Sequence, residues 1–105
     1  MSSIRIRSKL SGNKVQIRIL IAHPMENGRN RDPETKKLIP AHFIQELVLS
    51  HNDQPVIQAS LGGSISKNPF FTFVLKNARA GDKITVSWID NQGISDTRDH
   101  FIKPI

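Results

Sequence analysis

His23 and Glu26 stand three residues apart in the segment His23-Pro24-Met25-Glu26-Asn27-Gly28. An imidazole beside a carboxylate is the minimal equipment for general acid–base chemistry. A hydrolytic site would also need a nucleophile set against that base and a third group to orient it. No Ser, Thr or further carboxylate stands around His23 in such a pattern. The residue before a proline is held extended, which sets His23 at the end of a strand. The segment therefore reads as either a structural corner or a partner contact, with His23, Pro24, Met25, Asn27 and Gly28 as its candidate residues. A hydrolase built on His23 and Glu26 is the weakest reading.

Other chemistries fall by residue type. The chain has no cysteine, which removes disulfides, thiolate zinc sites, iron–sulfur clusters and a cysteine nucleophile together. His23, His42, His51 and His100 show no close metal-ligand spacing such as H-x-x-x-H. Gly62-Gly63-Ser64 lacks the glycine spacing, lysine and following helix of a phosphate loop, and reads as a flexible turn. No catalytic residue, metal or cofactor is expected.

Fifteen Lys and Arg against nine Asp and Glu leave a net charge of +6, which admits a nucleic acid, an anionic ligand or an acidic partner. The cations are dispersed. Arg5, Arg7 and Lys9 alternate with Ile4, Ile6 and Ser8, while Arg29, Arg31, Lys36 and Lys37 are diluted by Asp32 and Glu34. Solvated faces fit that dispersal better than a continuous nucleic-acid footprint. The alternative kept open is a small basic β-barrel that stacks bases on exposed aromatics.

The elements that must position these residues are strands. Only 37% of the residues are apolar, glycine not counted, but they cluster in short runs and so argue for order. Period two dominates. Val15, Ile17, Ile19 and Ile21 share a face opposite Gln16 and Arg18, and Leu20 on that second face points to cover on both sides. Phe43, Leu47, Leu49 and His51 fall on one side of the next strand, with Ile44, Glu46, Val48 and Ser50 on the other. A turn at Asn52-Asp53 leads to a strand over 56–60, and Asn68-Pro69 opens another. There Phe71, Phe73 and Leu75 alternate with Phe70, Thr72 and Val74, so Phe70 and Val74 face out, either as a partner surface or under a covering loop. Ile84, Val86 and Trp88 follow the turn at Ala80-Gly81-Asp82, and Asp90-Asn91-Gln92-Gly93 makes a hairpin into a last strand over 94–102.

About seven short strands without a sustained helical period predict one domain over 1–105. The expected architecture is an all-β, immunoglobulin-like antiparallel β-sandwich with Trp88 as its central aromatic. The polar stretch 23–40 interrupts it, and a loop of that length is usually functional or disordered. The segment MSSIRIRSKL has no apolar run of the secretory kind, and the stretch 19–22 is too short to cross a bilayer, so no membrane contact is expected.

Taken in order, His23-Pro24-Met25-Glu26-Asn27-Gly28, Ile39-Pro40, Phe43-Ile44, Asn68-Pro69-Phe70 with Phe73, and Trp88-Ile89-Asp90 with Gly93 resemble the SoxZ family. The resemblance runs over nearly the whole chain. Its specific part is 23–28, and 32–37 is this sequence's own variation. It implies a non-catalytic subunit without cofactor or nucleic acid, paired with a SoxY-like subunit. That partner's glycine-rich C-terminal tail carries the sulfur substrate on a cysteine, while other sulfur-oxidation enzymes make transient contacts with the pair. It further implies a periplasmic location, reached by export together with the partner. A chain without a thiol suits that division of labour, since a second exposed thiol could exchange with the carrier's disulfide or persulfide.

Overall fold

Alternating residues give each strand one apolar face, and antiparallel pairing lines those faces up. The computed structural model describes residues 2–104. It forms β1 (Ile4–Ser11), β2 (Lys14–Ile21), β3 (Ile44–His51), β4 (Gln54–Ser60), β5 (Phe70–Leu75), β6 (Lys83–Asp90) and β7 (Ser95–Phe101). Two antiparallel sheets result, β1-β2-β5 and β4-β3-β6-β7. This is the expected seven-strand sandwich. The barrel alternative fails because no strand of one sheet pairs through its backbone with a strand of the other. Here β4 joins β3 rather than β5, unlike the four-plus-three arrangement of constant immunoglobulin domains.

The core lies between the sheets. Ile4, Val15, Ile17, Ile19 and Ile21 face Ile44, Leu47, Leu49, Ile84, Val86 and Trp88, with Met25, Ala78 and Ile102 completing the cluster. Each large aliphatic side chain removed from water contributes roughly 1.5–3 kcal/mol before entropy is subtracted. Isoleucine dominates this core. Phe71, Phe73 and Leu75 are only half-buried, because β5 ends its sheet and has neighbours on one side alone.

Strict alternation misplaces two residues. Ile44 shares the core with Leu47 and Leu49 because the register slips between Ile44 and Glu46, and one extra residue in a bulge moves a side chain to the other face. Leu20 is 38% exposed, so β2 is covered on one side only. Pro55 lies inside β4, where an end strand tolerates it beside a second register shift. Trp88 is buried but peripheral, with its ring against His23 and its indole N–H 3.0 Å from the Ser3 hydroxyl. The long axis of the molecule is 53 Å, about twice the ~27 Å reach of eight strand residues. Residues 22–43, between β2 and β3, are the longest irregular segment.

Candidate functional site

The chain leaves β2 through His23, whose backbone is clamped to the residue that opens β5. Asn68 Oδ1 accepts the His23 N–H at 3.1 Å, and the Asn68 N–H returns to the His23 carbonyl at 2.9 Å. The His-Pro and Asn-Pro dipeptides thus meet. Pro24 is exposed, and the chain turns sharply at Met25, whose φ of +49° is rare for a residue with a side chain. Two contacts hold it there: its N–H donates to His23 Nδ1 at 3.1 Å, and its buried sulfur accepts the Ile44 N–H at 3.4 Å.

The remaining residues of the segment fix the next turn. Glu26 exchanges two backbone hydrogen bonds with His42, at 2.7 and 2.8 Å. Its carboxylate accepts from Asn30 Nδ2 at 3.0 Å rather than serving His23. Asn27 caps the turn by accepting the Arg29 N–H at 2.8 Å. At Gly28, with φ of +85°, a Cβ would sit 3.3 Å from the Ala41 Cβ. Gly63 packs equally tightly: a Cβ there would lie 3.0 Å from both Cα and Cβ of Asn27. Gly63 therefore packs directly against the 23–28 corner, within a turn that the Ile65 N–H closes on the Gly62 carbonyl at 3.3 Å.

The charged half of the long loop is also built. Arg31 bridges Leu38, and backbone bonds join Asp32 to Lys37 and Asn30 to Ile39. Asp32 Oδ1 accepts the N–H groups of Thr35 and Glu34, which holds its carboxyl below the ordinary value. This makes 30–39 a short finger rooted at the Glu26–His42 pair.

Folding brings His23, His42 and Asp90 together, a cluster that sequence spacing does not reveal. His23 Nε2 is 3.0 Å and His42 Nε2 2.7 Å from the same oxygen, Asp90 Oδ2. The other carboxylate oxygen accepts the N–H groups of Gln92 and Ile94 at 3.0 and 2.9 Å, which shapes the β6–β7 hairpin. Burial pushes the Asp90 carboxyl up. The bonds from His23, Ile94, His42 and Gln92 together outweigh burial and hold it below the usual range. The two imidazoles meet edge to face at 4.6 Å, and His23 meets Trp88 in the same way at 5.1 Å.

The hydrogen bonding decides what this cluster can do. Met25 donates to His23 Nδ1, so the neutral ring carries its proton on Nε2 and gives it to Asp90. No lone pair on that ring is free to act as a base. Asp90 accepts four hydrogen bonds and is saturated. The three side chains offer donor atoms within 4.8 Å of one another, a spacing a cation could use. Metal binding at His23 Nε2 would drive its proton to Nδ1, against the Met25 N–H. The arrangement as it stands is a hydrogen-bonded latch. Beside it, an open depression of about 390 Å³ is bordered by Ser3, Trp88 and Asp96. The Ser3 hydroxyl there is already engaged, donating to Asp96 at 2.7 Å and accepting from Trp88.

Phe70 and Val74 lie away from this corner, on the outer face of β5, and each is 60% exposed. No loop covers them. Leu20 of β2 pairs across from Phe70, and Gln16 from Val74. Comparison with curated proteins returns no match. Among protein-family models, that of the sulphur oxidation protein SoxZ matches residues 4–100, which takes in β1 to β6, all of β7 but its last residue, both proline corners and the latch. The chain belongs to the SoxZ family.

Proposed function

We propose that this chain is a non-catalytic scaffold subunit of a SoxYZ-like sulfur carrier. Membership of the SoxZ family implies a role in sulfur oxidation. In the proposed assembly the chain forms a heterodimer with a SoxY-like subunit, whose C-terminal cysteine carries the sulfur substrate during thiosulfate oxidation. The pair works in the periplasm, exported together, and other enzymes of the pathway dock on it transiently.

One observation carries this reading. The cluster that most resembles catalytic equipment, His23 with His42 and Asp90, is consumed in holding the fold, and the chain has no thiol of its own. A sulfur carrier needs a nucleophilic sulfur, so the partner must supply it. The basic excess adds a second, weaker contribution. It draws anionic sulfur species and acidic enzyme surfaces toward the pair, within the ~8 Å screening length of physiological salt.

Co-expression with a SoxY-like subunit tests the proposal. The expected result is one co-eluting complex in the periplasmic fraction, with the sulfur adduct found by mass spectrometry on the partner's cysteine. A chain that elutes alone, with the adduct forming equally well in its absence, would refute it.

A further inference from the structure

The outer face of the β1-β2-β5 sheet has a charge and apolar pattern that the isolated fold does not explain. Read across the register, its rows are Arg5–Leu20–Phe70, Arg7–Arg18–Thr72 and Lys9–Gln16–Val74. Leu20, Phe70 and Val74 make an apolar strip along one side, and all three are exposed. Arg5, Arg7, Lys9 and Arg18 make a cationic strip along the other. No Asp or Glu stands on the face, and none of the four cations has a carboxylate partner among the described residues. Arg7 and Arg18 face each other directly, an arrangement that is destabilising without an anion to share.

The strand at the centre of the problem is β5, Phe-Phe-Thr-Phe-Val-Leu. It is uncharged, rich in strand formers and free of proline, and it ends its sheet with one edge unpaired. Such a strand is a hazard for edge-to-edge association, and folded proteins normally blunt it with charge, proline or a bulge. Here none of these devices is present. Phe70, Thr72 and Val74 face water on the outside, and Phe71 and Phe73 are only half-buried on the inside.

We infer that this face, centred on β5, is where the SoxY-like subunit docks. The inference rests on the pairing proposed above and adds the surface and its chemistry. The partner's face carries apolar side chains over Phe70, Val74 and Leu20, and carboxylates over Arg5, Arg7, Arg18 and Lys9. That pattern of apolar centre and charged border is the ordinary anatomy of a protein interface. A second copy of this chain is the wrong occupant, because two-fold pairing would bring eight cations together without one acid.

The test measures affinity for the purified SoxY-like subunit with five single variants. Phe70→Glu and Val74→Glu alter the docking face. Val56→Glu and Ile89→Glu place the same charge at exposed positions, 47% and 44% accessible, on strands of the other sheet. Melting curves verify that each variant is folded. Phe70→Glu is expected to weaken binding about 30-fold or more, as loss of a central aromatic anchor does, while the controls stay near the parent value. Arg18→Glu should slow association and flatten its salt dependence. If the β5 variants bind like the parent and a control does not, the surface is misassigned while the pairing stands. If the parent chain itself does not bind, the pairing fails and the surface assignment goes with it. A parent chain that dimerises through Phe70, or that retards single-stranded oligonucleotides through Arg18, would overturn the choice of occupant.

Discussion

Replacing Asp90 by Asn changes one oxygen into an NH2 group and removes one charge, at a position that is 2% exposed. The new side chain keeps an oxygen for the Gln92 and Ile94 N–H groups, so the β6–β7 hairpin survives. Its NH2 group then faces two imidazole N–H donors. His42 relieves its conflict by moving its proton to Nδ1, because the Asp90 bond is its only side-chain hydrogen bond. His23 has no such freedom, since Met25 donates to its Nδ1. The variant therefore loses a charge-assisted hydrogen bond and leaves a buried donor facing a donor. A hydrogen bond to a charged group contributes about 1.5–3 kcal/mol, and an unsatisfied buried group costs about 1–3 kcal/mol, so the loss is about 3 kcal/mol or more. For a domain of this size each kcal/mol lowers Tm by about 4–8 °C, which gives a fall of at least about 12 °C. Urea unfolding should show a lower midpoint with an unchanged slope. His42→Ala should cost less, about 1.5–3 kcal/mol, because it removes one hydrogen bond to the charged Asp90 and leaves the other three. An Asp90→Asn protein melting within about 3 °C of the parent, or less perturbed than His42→Ala, would refute the latch and its tautomer assignment.

Acid should unfold the chain through its carboxylates. Asp82, bonded by His51, and Asp96, bonded by Ser3, join Asp90 in being held below the ordinary value of 3.8. The unfolded chain thus takes up protons first. Stability is fully present above about pH 5 and is lost as pH falls through 3.8 toward the folded-state values, and circular dichroism against pH should show a shallower loss in Asp90→Asn. At Met25 the usual order of substitutions should invert: both Met25→Ala and Met25→Gly lose the buried side chain, but glycine accepts φ of +49° and should be the more stable by about 1 kcal/mol in chemical denaturation. Gly63→Ala should destabilise by about 1–3 kcal/mol, since its methyl meets the backbone of Asn27 at 3.0 Å, and a parent-like melting curve would show that the two loops are not packed as described.

The strands were legible because burial imposes period two on the chain, and the turns because positive φ selects particular residues. Asn52 and Asp53, at φ of +49° and +70°, occupy the two-residue hairpin that their types announce. Where alternation misled, at Ile44, a bulge had inserted one residue, and no local signal marks a bulge built from ordinary side chains. The exposure of Phe70 and Val74 could be read from the strand pattern as one of two outcomes, and only the packing of β5 at a sheet end selects between them. The latch was not legible at all. His23 and Asp90 are separated by 67 residues, and their meeting depends on how two sheets face each other. Local periodicity records which face is buried, not which buried residues touch.

The stretch 23–28 carries the family pattern while its histidine has no lone pair free to react, and its geometry explains why. His23 must carry its proton on Nε2, Met25 must turn left-handed over it, Glu26 must pair with His42, and Gly28 must clear Ala41. Each side chain is specified by a neighbour inside the fold, so the pattern is rigid for structural reasons. Asp90, at the end of β6 in one sheet, grips His23 beyond the end of β2 in the other, and through His42 it fixes the root of the 30–39 finger. The corner therefore acts as a staple between the sheets and a mount for the finger. Surfaces left for work are those the staple does not consume: the cationic and apolar face of β1-β2-β5, and the finger with Arg31, Lys36 and Lys37 exposed. On the scaffold role proposed above, a domain so arranged acts by what it presents to another chain.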